Sequence, residues 1–201
     1  MSGSAGQTPA GVNAVGESFL MPVEDVFRRH QGRTVLVTGR IERGRVRIGN
    51  EVEVVGPSRG PIAVVDGIED GRVRIDEASA EMNVGVLLRG VAADVVERGQ
   101  VLATPGSIDT YAAFTADITL LSEEQGSTAV VVGDRLCFYT RTAVLWGTVT
   151  VLHGTDVVRP LHGAGVTVAL EEPVALEEGQ AFAFRHRGRA AGSGIVTQLP
   201  R

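Results

Sequence analysis

The 201 residues include no lysine: all nineteen basic side chains are arginines. A phosphate-cradling loop of the Walker type and a Schiff-base enzyme both depend on a lysine, so neither chemistry can be hosted by these residues. Acids come in pairs at Glu24 and Asp25, Glu69 and Asp70, Glu171 and Glu172, and Glu177 and Glu178. Neighbours on a strand point to opposite faces, so no pair is by itself a catalytic dyad. His30, His153, His162 and His186 are widely separated, with no cysteine or second histidine at ligand spacing, which argues against a zinc site. Gly192-Ser193-Gly194 lacks the pattern of a nucleophile elbow. Cys137, the single cysteine, lies in the strand-like run RLCFYTRT and reads as a small core residue. No catalytic residue, no metal and no cofactor is expected, and what remains is binding chemistry.

Arginine is the side chain best suited to that, because its planar fork matches phosphate and carboxylate. The formal charge of −5 argues against a surface coated for non-specific nucleic-acid binding. Between Arg28 and Arg47, however, stand seven arginines and one acid, Glu42. This run reads either as a solvated strand face or as a local phosphate-binding stripe.

The elements that must position these groups are short strands. Twenty-six glycines and only nine aromatics among frequent valine, isoleucine and leucine suit strands joined by tight turns. Val46 and Ile48 alternate with Arg45 and Arg47, and Val52 and Val54 with Glu51 and Glu53, which predicts a hairpin across Gly49-Asn50 with one wet face. Further strands are predicted at 34–41, 62–65, 72–75, 83–91 and 100–103, with turns at Asp66-Gly67 and Asp70-Gly71. Such a series suggests a small closed barrel. In a second unit Phe114, Ala116, Ile118 and Leu120 alternate, as do Val166, Val168 and Leu170, and Phe182 and Phe184 share a face. The expectation is an all-β protein of two consecutive small barrels, 19–106 and 107–201, after a disordered polar leader at 1–18. With one cysteine, no signal peptide and no apolar stretch of spanning length, a soluble cytoplasmic protein away from membranes is expected.

The runs VEDVF, VTGRIERG, NVGVLLRG and ERGQVLATPG, and later DRLCFYTRT and RHRGRAAGSGIV, resemble the second and third domains of the elongation factor Tu family. In that family a GTPase domain precedes two β-barrels, and the three hold aminoacyl-tRNA for the ribosome. The resemblance runs from Phe19 to Leu199 and contains no counterpart of the GTPase domain, so no GTP binding or hydrolysis is expected. It implies a translation protein whose first barrel takes the aminoacylated 3′ end of tRNA. Glu24, Asp25, Phe27 and Thr38 resemble the wall of the pocket for the terminal adenosine and its amino acid. Glu69 and Arg72 in GIEDGR match a Glu and an Arg at the family's spacing, and Asn83 resembles the residue near the amino-acid side chain. Arg98 in ERGQVL corresponds to a contact with the 5′ end. Arg185 and Arg189 match the family's closing motif and are candidates for RNA phosphate. Carboxylates accepting from ribose or base, an aromatic packing on the base and arginines forking onto phosphate are reasonable chemistry for that task.

Departures from the pattern pull the other way. Gly71 replaces an aromatic or histidine between Glu69 and Arg72, Met82 replaces an acid before Asn83, and the run Arg28 to Gln31 is one residue longer than the family's loop. The segment GSTAVVVG at 126–133 stands where the third domain carries a basic stretch near tRNA. The alternative is therefore a protein-interaction module that docks a separate GTPase, an exchange factor or the ribosome without RNA.

Overall fold

The computed structural model describes residues 17–29 and 34–201. Most of the expected leader, and His30, Gln31 and Arg33 of the basic run, lie outside them. Every regular element among the described residues is a β-strand, and together these strands build two all-β bodies.

The first body contains β1 (Leu20–Pro22), β2 (Asp25–Arg29), β3 (Thr34–Arg40), β4 (Arg45–Arg47), β5 (Glu51–Val55), β6 (Arg59–Asp70), β7 (Val73–Ile75), β8 (Glu77–Ser79), β9 (Asn83–Arg89) and β10 (Val101–Ala103). Its ladder runs β1-β10-β5-β6-β9-β3-β2, with β7 paired to β6. The two ends of that path, β1 and β2, are one piece of chain interrupted only by Val23 and Glu24. The sheet therefore returns on itself through covalent continuity. A bridge from Leu20 to Arg43 and the Glu42 N–H donating to the Leu20 carbonyl at 2.9 Å tie β1 to the segment that follows β3. Gly39 is required at this seam, because a Cβ there would overlap the Pro22 carbonyl oxygen. Val35, Val37, Ile68, Val86 and Leu88 fill the interior, each fully buried, and a buried side chain of this size contributes about 1.5–3 kcal/mol.

Three local expectations are corrected. Arg45–Arg47 and Glu51–Val55 do not pair with each other: β4 pairs with β8, and β5 with β10 and β6. Gly49-Asn50 is a corner between two sheets, held by the Asn50 N–H on the Arg47 carbonyl and the Gly49 N–H on the Val65 carbonyl. Alternation assigns each residue a face but carries no information on the partner strand. Glu53 leaves the wet face and is buried, where it accepts the Gly106 N–H at 2.8 Å. Asp66-Gly67 is no turn but a bulge inside the continuous β6, whereas Asp70-Gly71 does turn the β6–β7 hairpin, Gly71 having φ 61°.

The second body is a closed six-strand barrel of β11 (Asp109–Leu120), β12 (Arg135–Thr140), β13 (Ala143–His153), β14 (Gly163–Leu176), β15 (Ala181–His186) and β16 (Arg189–Gln198), in the order β11-β14-β13-β12-β15-β16. Phe114, Ala116, Ile118, Leu120, Val166, Val168, Leu170, Phe182 and Phe184 all point inward, as their alternation requires. Phe114, Phe138 and Phe182 meet edge to face with centroids 5.4–5.7 Å apart, a geometry the aromatic quadrupole favours. Cys137 is buried but is not part of this core. On β12 it alternates with the inward Leu136 and Phe138, so it lies under the outer surface, opposite Trp146 and Arg185.

The two bodies meet along a small apolar cluster of Leu20, Val55, Val101, Ala103, Ile108 and Ala175. Around it Arg43 donates to Glu177 at 2.6 Å, Arg141 bonds both Glu42 and Glu177, and Arg59 bonds Asp109.

Candidate functional site

β2, β3, β9 and β6 lie side by side, and their outward residues form rows across the first barrel. Asp25 pairs with Thr38, Thr38 with Gly85, and Gly85 with Glu69. The next row is Phe27, Leu36, Leu87 and Gly67. Inward Val26, Val37, Val86 and Ile68 sit between them, so these rows are the outer face by simple alternation.

Two glycines shape that face. A Cβ on Gly85 would stand 2.8 Å from Leu36 Cδ1, and one on Gly67 would stand 3.1 Å from Leu87 Cδ1. Leu36 and Leu87 therefore lie flat over bare backbone, and both are 5% exposed although neither belongs to the interior core.

Above this apolar floor is a cavity of about 320 Å³ lined by Glu24, Arg29, Leu36, Thr38, Glu69 and Asn83, together with Gly39, Gly71, Val84 and Gly85. Four residues singled out in the sequence, Glu24, Thr38, Glu69 and Asn83, thus converge although they are up to 59 positions apart (83 − 24). Glu24 is pinned at both backbone groups: its N–H donates to the Thr38 carbonyl at 2.9 Å, and its own carbonyl accepts from Arg98 Nη1 at 3.0 Å. Arg98 serves the cavity through that bond and itself lines a separate cleft between the barrels with Glu97, Gln100 and Glu172. Asp25 and Phe27 occupy the same face beside the cavity without lining it, and Phe27 is 49% exposed. Arg72 follows Gly71 in the β6–β7 turn, at the rim.

Arg185 and Arg189 are elsewhere, on β15 and β16 of the second barrel. Arg185 stands over the Tyr139 ring with its guanidinium carbon 5.5 Å from the centroid. Of the arginine run, read as either a solvated face or a phosphate-binding stripe, four members are ion-paired: Arg40 with Glu81, Arg45 and Arg47 with Glu77, and Arg43 with Glu177. Arg28 and Arg29 enter none of the ion pairs found among the described residues.

Arg29, Leu36, Gly39, Val84 and Gly85 line the cavity without having been singled out by sequence reasoning. A signal existed for Arg29, because Asp25, Phe27 and Arg29 are successive outward positions of one strand. No comparable signal marked Gly85, whose importance is the space it leaves on a neighbouring strand.

Among the described residues the cavity offers two carboxylates, an amide and a hydroxyl toward donors, an apolar floor toward a flat ring, and one guanidinium toward an anion. Comparison with known proteins agrees with the fold and the motifs. The family model described as Elongation factor Tu domain 2 matches residues 34–103, and the one described as Elongation factor Tu C-terminal domain matches residues 107–200. Through these two barrels the chain belongs to the elongation factor Tu family.

Proposed function

We propose that this translation-factor-like protein binds the aminoacylated 3′ end of tRNA on the outer face of its first barrel, and that it acts as a binder rather than an enzyme. The observation that carries the reading is the convergence of Glu24, Thr38, Glu69 and Asn83 on one cavity with an apolar floor. The units are taken as 19–106 and 107–201, each with its own core, and the working site as the cytoplasm. Two barrels alone make fewer contacts than a full factor, so the expected affinity is micromolar, about −8 kcal/mol.

The test is a titration against aminoacylated tRNA, deacylated tRNA and unrelated RNA at two salt concentrations. Preference for the aminoacylated form supports the reading. Equal, steeply salt-dependent binding of all three reduces it to phosphate attraction by arginines. Arg72→Ala and Arg98→Ala are each expected to lower the salt slope by about 1; an unchanged slope removes them from the interface.

A second reading rests on a different observation. Val144, Trp146, Tyr139 and Ile195 are 58%, 42%, 37% and 51% exposed on one outer face of the second barrel, spanning β13, β12, β15 and β16. Exposed aromatics beside Arg135 and Arg185 are the composition of a protein-docking surface. A separate GTPase, an exchange factor or the ribosome would be the partner. Failure of every RNA to bind, with capture of such a partner, would favour this reading.

A further inference from the structure

The outer face of the second barrel carries two rows of side chains across its strands. Trp146 pairs with Cys137, and Cys137 with Arg185. Glu171 follows Leu170, the partner of Gly147, so it extends this row by one strand, on β14. The row reads acid, indole, thiol, base across β14, β13, β12 and β15. Two residues along the strands stands Val144 opposite Tyr139, and Tyr139 opposite Ala183. Leu136, Phe138 and Phe184 point into the core between them, which leaves both rows facing out. The relief is uneven: Trp146, Tyr139 and Val144 are exposed, whereas Cys137 is buried, so the surface is recessed beside the indole. The ends of the first row differ in charge. Glu171 holds Arg135 at 2.5 and 3.0 Å, and that guanidinium lies over Trp146. Arg185 enters none of the ion pairs found among the described residues.

We propose that this face binds a second copy of the chain, about a two-fold axis that runs parallel to the strands between β12 and β13. That axis exchanges Glu171 with Arg185, Trp146 with Cys137 and Val144 with Tyr139. Arg185 of each copy therefore meets Glu171 of the other, whose carboxylate oxygens can each accept a second hydrogen bond. Each indole enters the recess over the other copy's Cys137, and each Val144 packs on the other's phenol ring. Reciprocal contacts of this kind are what a two-fold interface demands. Sheets packed face to face keep their strands within about 30° of each other, so the rows stay opposed near the axis. The charge pattern also selects against other occupants. An acidic or phosphate-bearing surface that satisfies Arg185 is repelled by Glu171 at the far end of the row, and a basic one by Arg185. Four strands by three outward residues present about 400 Å² in projection on each copy, at the low end for a specific interface. Association should be reversible, with a dissociation constant on the order of 10–100 μM.

The experiment follows the full chain by sedimentation velocity and by Trp146 emission from about 1 to 500 μM, a range that brackets that constant. Wild type is compared with Trp146→Ala, Arg185→Glu and Glu171→Arg, with melting curves to confirm that each variant folds. Wild type is expected to pass from monomer to dimer with a blue shift of its emission. Trp146→Ala should weaken the dimer by at least about tenfold. Arg185→Glu and Glu171→Arg should each remain monomeric, because each sets like charges opposite one another twice. An equimolar mixture of these two variants should form a 1:1 dimer. Position 185 of the first then meets position 171 of the second with opposite sign, and the two native residues meet likewise. Glu171→Arg also releases Arg135, so recovery in the mixture, rather than loss in the single variant, is the decisive result. A wild type that stays monomeric throughout would overturn the proposal and leave the face to a different protein. A dimer that both charge variants retain would overturn it by placing the contact on another surface, and loss without recovery in the mixture would overturn the assigned axis. None of these results bears on the RNA titration above, because the dimer does not rest on the RNA-end reading.

Discussion

Arg141 of the second barrel donates from Nε to both carboxylate oxygens of Glu42 in the first, at 3.2 and 3.0 Å. The same guanidinium donates to Glu177 at 2.7 Å and to the Ala175 carbonyl at 3.2 Å, and its side chain is only 7% exposed. Two barrels joined by a short link are thereby held in one orientation. Arg141→Ala leaves Glu177 with one of its two cations and is expected to cost about 2 kcal/mol, at the low end for a buried pair because the carboxylates keep some solvent. For a chain of this size that is a fall in melting temperature of about 4–8 °C, measurable by calorimetry.

The same cluster makes stability depend on pH. Burial alone would raise the Glu177 carboxyl, but the hydrogen bond and charge of Arg43, followed by Arg141, outweigh it and hold the group below its ordinary 4.5. A depressed folded value means that the stabilisation is complete above 4.5 and is lost as pH falls through the folded value. Urea midpoints should therefore drop on acidification below about pH 4.5, and Glu177→Gln should flatten that drop. Identical profiles for wild type and variant would show that the cluster does not control acid stability.

Two glycines on adjacent strands should behave oppositely. An alanine at Gly39 meets a backbone oxygen of Pro22 that cannot move without opening the β1–β3 seam, so Gly39→Ala is expected to cost 1–3 kcal/mol or more, roughly the penalty for overpacking. At Gly85 the obstacle is the tip of the Leu36 side chain, 2.8 Å from the new carbon. Gly85→Ala should fold, with a loss within about 1 kcal/mol, and push Leu36 into the cavity. Melting curves paired with ligand titration separate the two effects.

Trp146 is the sole tryptophan, and Arg135 stacks on it at 3.9 Å from the centroid while Glu171 grips that guanidinium at 2.5 and 3.0 Å. Its half-exposed ring should emit at long wavelength and be quenched readily by acrylamide. A protein docking on this face should shift the emission to the blue and protect it, and Trp146→Ala should weaken that docking by at least about tenfold, the scale of an interface hot spot. Emission unchanged by a partner that binds elsewhere on the chain would exclude this face.

His186 is buried, with Nδ1 3.1 Å from Thr128 Oγ1 and Nε2 3.5 Å from Asp134. It fastens the loop before β12 to β15. His186→Ala is expected to cost about 1–2 kcal/mol and to raise hydrogen exchange at Val131 and Asp134 before the rest of the barrel opens.

Alternating residues such as Phe114, Ala116, Ile118 and Leu120 set which side of each strand faces a core, because successive side chains in extended chain must point in opposite directions. Together with glycine-rich turns, this made the all-β class legible, and the quoted motifs made the family legible. The same motifs named Glu24, Thr38, Glu69 and Asn83, which meet in one cavity. Tertiary structure alone decided that β4 pairs with β8, that Glu53 is buried, that Arg43 is spent between the barrels and that Arg29 borders the cavity. The reason is physical. Local pattern determines the face a residue occupies, whereas strand partners, and hence the neighbours of a long arginine side chain, are set by contacts between segments far apart in sequence.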